Sequence, residues 1–227
     1  FVGFVPTILF VRSPTKDENN PDNESSQLVS ISSEFSLSQA LRTKDYWFLA
    51  VAVFATGIMT AGIGLHIVPF LVGQGLSAKV AVATVSLRFI SSSIGGFVAG
   101  FLIDHFGPRP IAIAALAIRI ISIAILMFTD TFWEATFMGA LDGFSDGVQS
   151  AAILLLLVNY FGKSNSGGIY GVTRGFKVVG FAVGPIIAAV VFDLSGSYTP
   201  VFLSFFLLSI LSVALISNTK RTFQNIK

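Results

Sequence analysis

Apolar positions are gathered into six long runs separated by short polar connections: about Tyr46–Val72, Val80–Ile103, Pro110–Phe128, Phe132–Val158, Gly168–Phe192 and Thr199–Ser217. Each is long enough to cross a bilayer, whose hydrocarbon core takes about 20 residues of helix. In lipid every backbone N–H and C=O must be bonded within the structure, so the pattern predicts an all-α membrane protein with six transmembrane helices. Two segments break the pattern at the start. Phe1–Val11 is apolar but too short to span, ends at Arg12, and has no basic region before it to make a signal peptide. It reads as the end of a transmembrane helix cut off at the start of the chain, with a hydrophobic surface segment as the other reading. Residues 13–45 are rich in Asn, Ser, Asp and Glu and poor in apolar groups, and read as a cytoplasmic linker between two halves. The expected organisation is therefore 1–12, 13–45, the six-helix unit 46–217 and a cytoplasmic tail 218–227.

Composition agrees: 53% of residues are hydrophobic and 11% charged, whereas a soluble domain carries roughly a quarter charged. The net charge of +2 is no nucleic-acid footprint, because the basic residues sit at span ends or inside spans and not on one solvated patch. Their distribution sets the orientation instead. Arg12, Lys16, Arg42, Lys44, Arg109, Lys163, Lys220, Arg221 and Lys227 fall on one side and Lys79 on the other, so both ends are expected in the cytoplasm of a cell-membrane protein. Tyr46, Trp47, Trp133, Tyr160 and Tyr198 fall at span ends, where amphipathic rings prefer the interface.

Several function classes are disfavoured. The chain has no cysteine, hence no thiol nucleophile or thiolate metal site. His66 and His105 are assigned to opposite membrane faces, and neither a zinc-protease pair nor a glycine-lysine phosphate loop occurs. No enzyme, primary pump, metal or other cofactor is expected.

Glycines recur every fourth residue at Gly139, Gly143 and Gly147, and again at Gly167, Gly171 and Gly175, followed by Gly180 and Gly184. Such faces let another backbone approach closely. They read either as tight helix contacts or as low-friction surfaces along which helices rock, and Gly184-Pro185 adds the prospect of a bend.

Ionisable groups inside the spans are expensive and mark function by default. Arg88 lies about 12 Å inside the second span at 1.5 Å per residue, and Arg119 is similarly deep in the third. Asp142 and Asp146 share one face of the fourth. Arg174 and Lys177 lie three apart in the fifth. Four cations thus face two carboxylates, a surplus an anionic substrate would balance. Arg88 is expected either to bind substrate or to pair with Asp142 or Asp146. Arg119 is expected in a peripheral span, in a structural network or a substrate role. Arg174 is expected to snorkel to the interface, and Lys177 is open between roles. Asp146 is a candidate proton carrier, unless Arg88 or Lys177 pairs with it. His66 reads as a hydrogen-bonded interface histidine and Asn159 as a helix-packing hydrogen bond.

The turn after the second span, Gly100-Phe-Leu-Ile-Asp104-His-Phe-Gly107-Pro-Arg109, resembles the signature loop of the major facilitator superfamily, with His105 where an arginine is usual. Asn159-Tyr-Phe-Gly162, Gly168-Ile-Tyr-Gly171, Gly184-Pro185, Asp193-Leu-Ser-Gly-Ser-Tyr198 and His66-Ile-Val-Pro69 are similar to bacterial members related to monocarboxylate transporters and oxalate:formate antiporters. This group often has arginine where Asn159 and Gly96 stand, so its usual anion-binding arginine in the second span is absent. The resemblance covers about Asp45 to the C-terminus. It implies the C-terminal six-helix half of a twelve-helix fold whose N-terminal half is missing from the chain. It further implies secondary active transport by alternating access, with Gly100, Asp104, Gly107 and Arg109 latching the cytoplasmic gate. Asp104 ends a helix, where the dipole disfavours a carboxylate, so it is expected to meet Arg109 and the start of the fifth span near Gly167. The expected substrate is a small organic anion such as a monocarboxylate, moved by proton symport or exchange. Arg88 would grip it bidentately, Lys177 would add a second charge, Asp146 would carry the proton and Asp142 hold the network. The alternative is a transporter-like sensor or scaffold, which has no need of mid-membrane charge.

Overall fold

The computed structural model describes residues 37–162 and 166–219. The apolar run at 1–11, the expected linker up to residue 36, and the residues from Lys220 onward lie outside the described residues. One helical turn, α1 (Leu37–Ala40), falls within the span expected to be linker. Six long helices follow: α2 (Lys44–Gly73), α3 (Ala78–Phe106), α4 (Pro108–Met127), α5 (Phe132–Phe161), α6 (Ser166–Ser195) and α7 (Thr199–Asn218). All six are long and apolar enough to cross a membrane, and their bounds lie within three residues of those expected.

Local chemistry sets the boundaries. Thr43 caps α2 by accepting from the Tyr46 amide at 3.3 Å, and Ser77 caps α3 by accepting from Val80 at 3.4 Å. Thr131 and Glu134 form a reciprocal capping box at the start of α5. Gly107 alone separates α3 from α4. Its φ of 84° is the left-handed conformation that glycine adopts freely, its amide closes α3 on the Ile103 carbonyl at 2.8 Å, and Pro108 starts α4.

The helices alternate in direction, so one end of the bundle carries Lys44, the Gly107 turn, Gly162 and Asn218, and the other carries His66, Ser77, Thr131 and Tyr198. The strongest packing is α3 on α5 and α2 on α6; α4 packs on α5 and α7, and α7 on α2. Exchanging α2 with α5, α3 with α6 and α4 with α7 leaves this set of pairings unchanged. Helix lengths repeat too: 30, 29 and 20 residues, then 30, 30 and 20. The six helices are two copies of a three-helix unit packed about a pseudo-two-fold axis, in the manner of the internal repeats of many transporters.

Both strong pairings depend on glycine. A side chain at Gly139, Gly143 or Gly147 would strike α3 at Thr84, Arg88 or Ser92, and one at Gly95 would strike the Phe144 carbonyl of α5. Across the other crossing, Gly57 abuts the Lys177 carbonyl, while Gly180 and Gly184 abut the Phe54 and Ile58 carbonyls. Gly167, Gly171 and Gly175 differ from expectation: a Cβ there would meet nothing within 4 Å. Their every-fourth-residue spacing clears a face of α6 against which no described helix packs.

Buried apolar side chains form two cores. One, around Tyr46, Leu49, Leu116, Leu156 and Phe161, fills the Gly107 end. The other, around Met59, Ile63, Ile67, Phe202 and Phe205, fills the His66 end. A charged layer lies between them.

Candidate functional site

Five side chains from four helices make that layer: Thr60 of α2, Arg88 of α3, Arg119 of α4, and Asp142 and Asp146 of α5. The four-residue spacing of the two aspartates puts them one turn apart on the same face of α5. Arg88 Nε donates to Asp142 Oδ2 at 2.5 Å, and its Nη2 donates to the Thr60 carbonyl at 3.1 Å. Arg119 donates through Nη1 to Thr60 Oγ1 at 3.0 Å and through Nη2 to Asp146 Oδ1 at 2.9 Å. The Thr60 hydroxyl in turn donates to the same Asp146 oxygen at 2.9 Å. Arg119 Nε and Asp142 Oδ1 face each other at 3.5 Å, both buried and outside any hydrogen bond, in a purely ionic contact.

Burial separates the charges. The Arg119 side chain is 0% exposed and that of Asp142 1%, whereas that of Asp146 is 20% exposed. Of the two readings for Arg119, the structure realises the network. α4 packs on α5 and α7, and its buried Arg119 side chain reaches inward to both aspartates, on the seam between the two repeats. Of the two readings for Arg88, the structure realises the pair with Asp142.

Lys177 of α6 stands outside the layer. Its Nζ donates to Ser150 Oγ at 3.1 Å and lies 4.0 Å from Asp146 Oδ1, beyond hydrogen-bond reach. It lines an open cleft of about 280 Å³ between α2, α5 and α6, together with Val53, Ser150, Tyr170, Arg174 and Phe181. Arg174, one helical turn away, is exposed and donates to the Tyr170 hydroxyl at 3.0 Å. Thr60 and Ser150 were not singled out by sequence reasoning, and Tyr170 only as part of the Gly168–Gly171 motif. A Ser or Thr hydroxyl in a helix can bond a carbonyl one turn back, so nothing in the run of residues distinguishes these from the other hydroxyls. Among the described residues, no group of His, Asp and Glu side chains is placed to hold a metal ion.

Residues 79–223 match the family model described as Major Facilitator Superfamily. The chain belongs to the major facilitator superfamily. The structures agree with the sequence match. The crystal structure of the major facilitator superfamily transporter FucP in the outward conformation superposes with a TM-score of 0.74 at 17% identity, over 97% of this chain and 52% of that one. A variant of FucP, the E. coli fucose:proton symporter, gives a TM-score of 0.74 at 17% identity over 97% and 53% of the two chains. This chain thus spans about half the length of the solved structures it matches, and at that identity the likeness is one of fold. No curated protein sequence matches it.

As a member of the major facilitator superfamily, the chain keeps the signature turn but not the contact expected within it. Asp104 is exposed at the end of α3 and has no ion pair or hydrogen bond among the described residues. Arg109 instead donates through Nη2 to the Ser217 carbonyl at the end of α7. The single-residue turn at Gly107 starts α4 so tightly that Arg109 lies in its first turn and faces α7. Gly100 has no neighbour that a side chain would strike.

At the opposite end His66 is hydrogen-bonded, and both ring nitrogens are engaged. Nε2 lies 3.2 Å from the Pro185 carbonyl, which can only accept, so Nε2 carries the proton and Nδ1, 3.3 Å away, accepts from the Tyr198 hydroxyl. Burial, and then the Asp193 charge, hold the Tyr198 hydroxyl above its ordinary pKa. Asn159, expected in a packing hydrogen bond, is exposed on α5 and forms none among the described residues.

Proposed function

We propose that these helices are one half of a secondary active transporter that carries a small organic anion, such as a monocarboxylate, by alternating access coupled to proton symport or exchange. One observation carries this reading: Lys177 stands at the wall of an open cleft, while the other mid-bundle cations are sealed. Arg88 and Arg119 have the two aspartates as close partners. Lys177 donates to the neutral Ser150 hydroxyl, and its one carboxylate contact among the described residues is a long one to an oxygen already occupied by Thr60 and Arg119. A carboxylate entering the cleft would meet Lys177 first, with Ser150, Tyr170 and Arg174 around it. This moves the expected anion grip from Arg88 to Lys177 and leaves Arg88 as part of the frame. Asp146 is the coupling candidate, because it is the network carboxylate that solvent reaches. The other six-helix half would complete the cavity, and the two halves would rock about it.

The test is uptake by the full-length protein in proteoliposomes, with lactate, formate and oxalate against the neutral isostere lactamide. Lys177→Gln is expected to abolish carboxylate uptake and Lys177→Arg to retain part of it. Preferred uptake of lactamide or of a cation by wild type overturns the reading.

A further inference from the structure

The pseudo-two-fold axis can be fixed residue by residue. Gly143 of α5 abuts the Arg88 carbonyl of α3, and Gly57 of α2 abuts the Lys177 carbonyl of α6. Gly95 of α3 abuts the Phe144 carbonyl, and Gly184 of α6 abuts that of Ile58. Both relations equate α2 with α5 in one register and α3 with α6 in one register. In that register Gly57 corresponds to Gly143, Ile58 to Phe144, Lys177 to Arg88 and Gly184 to Gly95. The side chains obey it as well. Arg88 reaches across to Thr60, and its guanidinium lies against Gly64; Lys177 reaches across to Asp146 and Ser150. Thr60 then corresponds to Asp146 and Gly64 to Ser150. Thr60 and Asp146 hydrogen-bond each other at 2.9 Å, as two equivalent positions beside a two-fold axis should.

The register exposes an asymmetry. The residue before Gly143 is Asp142, which neutralises Arg88 at 2.5 Å. The residue before Gly57 is Thr56, which is buried and uses its hydroxyl on the Val53 carbonyl one turn back at 2.8 Å. The α3–α5 crossing thus holds a cation with its counter-ion built in. The equivalent α2–α6 crossing holds a cation whose counter-ion position carries a neutral hydroxyl. The open cleft adjoins this second crossing: Val53 of α2 and Lys177 of α6 line it, with Ser150 of α5.

Resting on the transporter reading above, we infer that the carboxylate of the substrate binds Lys177 as the counter-ion that Thr56 does not supply, completing at the α2–α6 crossing the ion pair that Arg88 and Asp142 make at the α3–α5 crossing. Thr56 is then a specificity-determining position. A neutral residue there leaves Lys177 open to an exogenous anion, and an acidic one occupies it from within.

The experiment places Thr56→Asp and Thr56→Asn in the full-length protein. Uptake of lactate, formate and oxalate into proteoliposomes and the Tm in detergent with and without each acid are measured. Thr56→Asp is expected to weaken carboxylate uptake at least about tenfold, since a fixed charge near Lys177 outcompetes a dilute one. It should also keep or raise the Tm of the unliganded protein and remove the Tm increase that carboxylate gives wild type. Thr56→Asn should behave as wild type in all three respects. Should Thr56→Asp not accumulate, Lys177→Gln decides: loss of the carboxylate-induced Tm increase supports the assignment and its persistence overturns it. Normal carboxylate uptake by Thr56→Asp overturns the counter-ion inference while leaving the transporter reading intact. A wild-type protein that takes up none of the three acids, as when the other half supplies the missing carboxylate, overturns both.

Discussion

A guanidinium sealed between two apolar cores tolerates the loss of its partner badly. Asp142→Asn leaves Arg88, and the ionic contact to Arg119, without their carboxylate in a site where the Asp142 side chain is 1% exposed. The expected cost is about 3–5 kcal/mol of stability, read as a lowered Tm of the purified protein. Replacing both members of the pair with apolar residues, Arg88→Met with Asp142→Leu, should recover most of it, because the desolvation penalty disappears with the charges. A double variant as unstable as Asp142→Asn would show that the pair is held by more than mutual neutralisation. The positions of these charges were legible in the sequence, since an ionisable residue in an apolar run stands out wherever it falls. Their partners were not. Which of Arg88, Arg119 and Lys177 meets which aspartate depends on helix rotation, and the rotation is set by glycines on both sides of each crossing. Asp104 failed in the opposite way: its helix-end position suggested a nearby cation, yet the turn directs Arg109 to Ser217.

Among the elements, the glycine faces divide into those with a neighbour and those without. At Gly143 and Gly184 a Cβ would overlap the backbone of the crossing helix, so alanine there must push two helices apart. Overpacking of this kind costs about 1–3 kcal/mol. At Gly171 alanine meets nothing within 4 Å and improves helix propensity. The expected order of Tm is therefore Gly171→Ala above Gly143→Ala and Gly184→Ala; an equal fall at Gly171 would mean that a further helix seats on that face of α6. Sequence spacing gave both stripes alike, because it describes the helix that carries a face and is silent about what stands opposite. Helix ends were easier, because the change from an apolar run to a polar connection is a local signal that does not depend on packing.

For the whole molecule, the basic connections predict that the Gly107 end faces the cytoplasm. Gln74, exposed between α2 and α3, offers a site for a single cysteine in a chain that has none of its own. Gln74→Cys should react with an impermeant maleimide from outside intact cells and not from the cytoplasmic side of inverted vesicles; the reverse pattern would invert the topology. The order of the charged layer along the chain has a further consequence, for synthesis. Arg88 precedes Asp142 by 54 residues and Arg119 precedes Asp146 by 27. While the chain is being made, α3 and α4 each bring a guanidinium to the membrane before its aspartate partner of this layer exists, at a cost of about 2.5–3.5 kcal/mol per arginine at a helix centre. Release of α3 and α4 from the insertion machinery into lipid is therefore expected to await the arrival of α5, and a nascent chain stopped short of Asp142 should crosslink to the translocon where one extended past Asp146 no longer does.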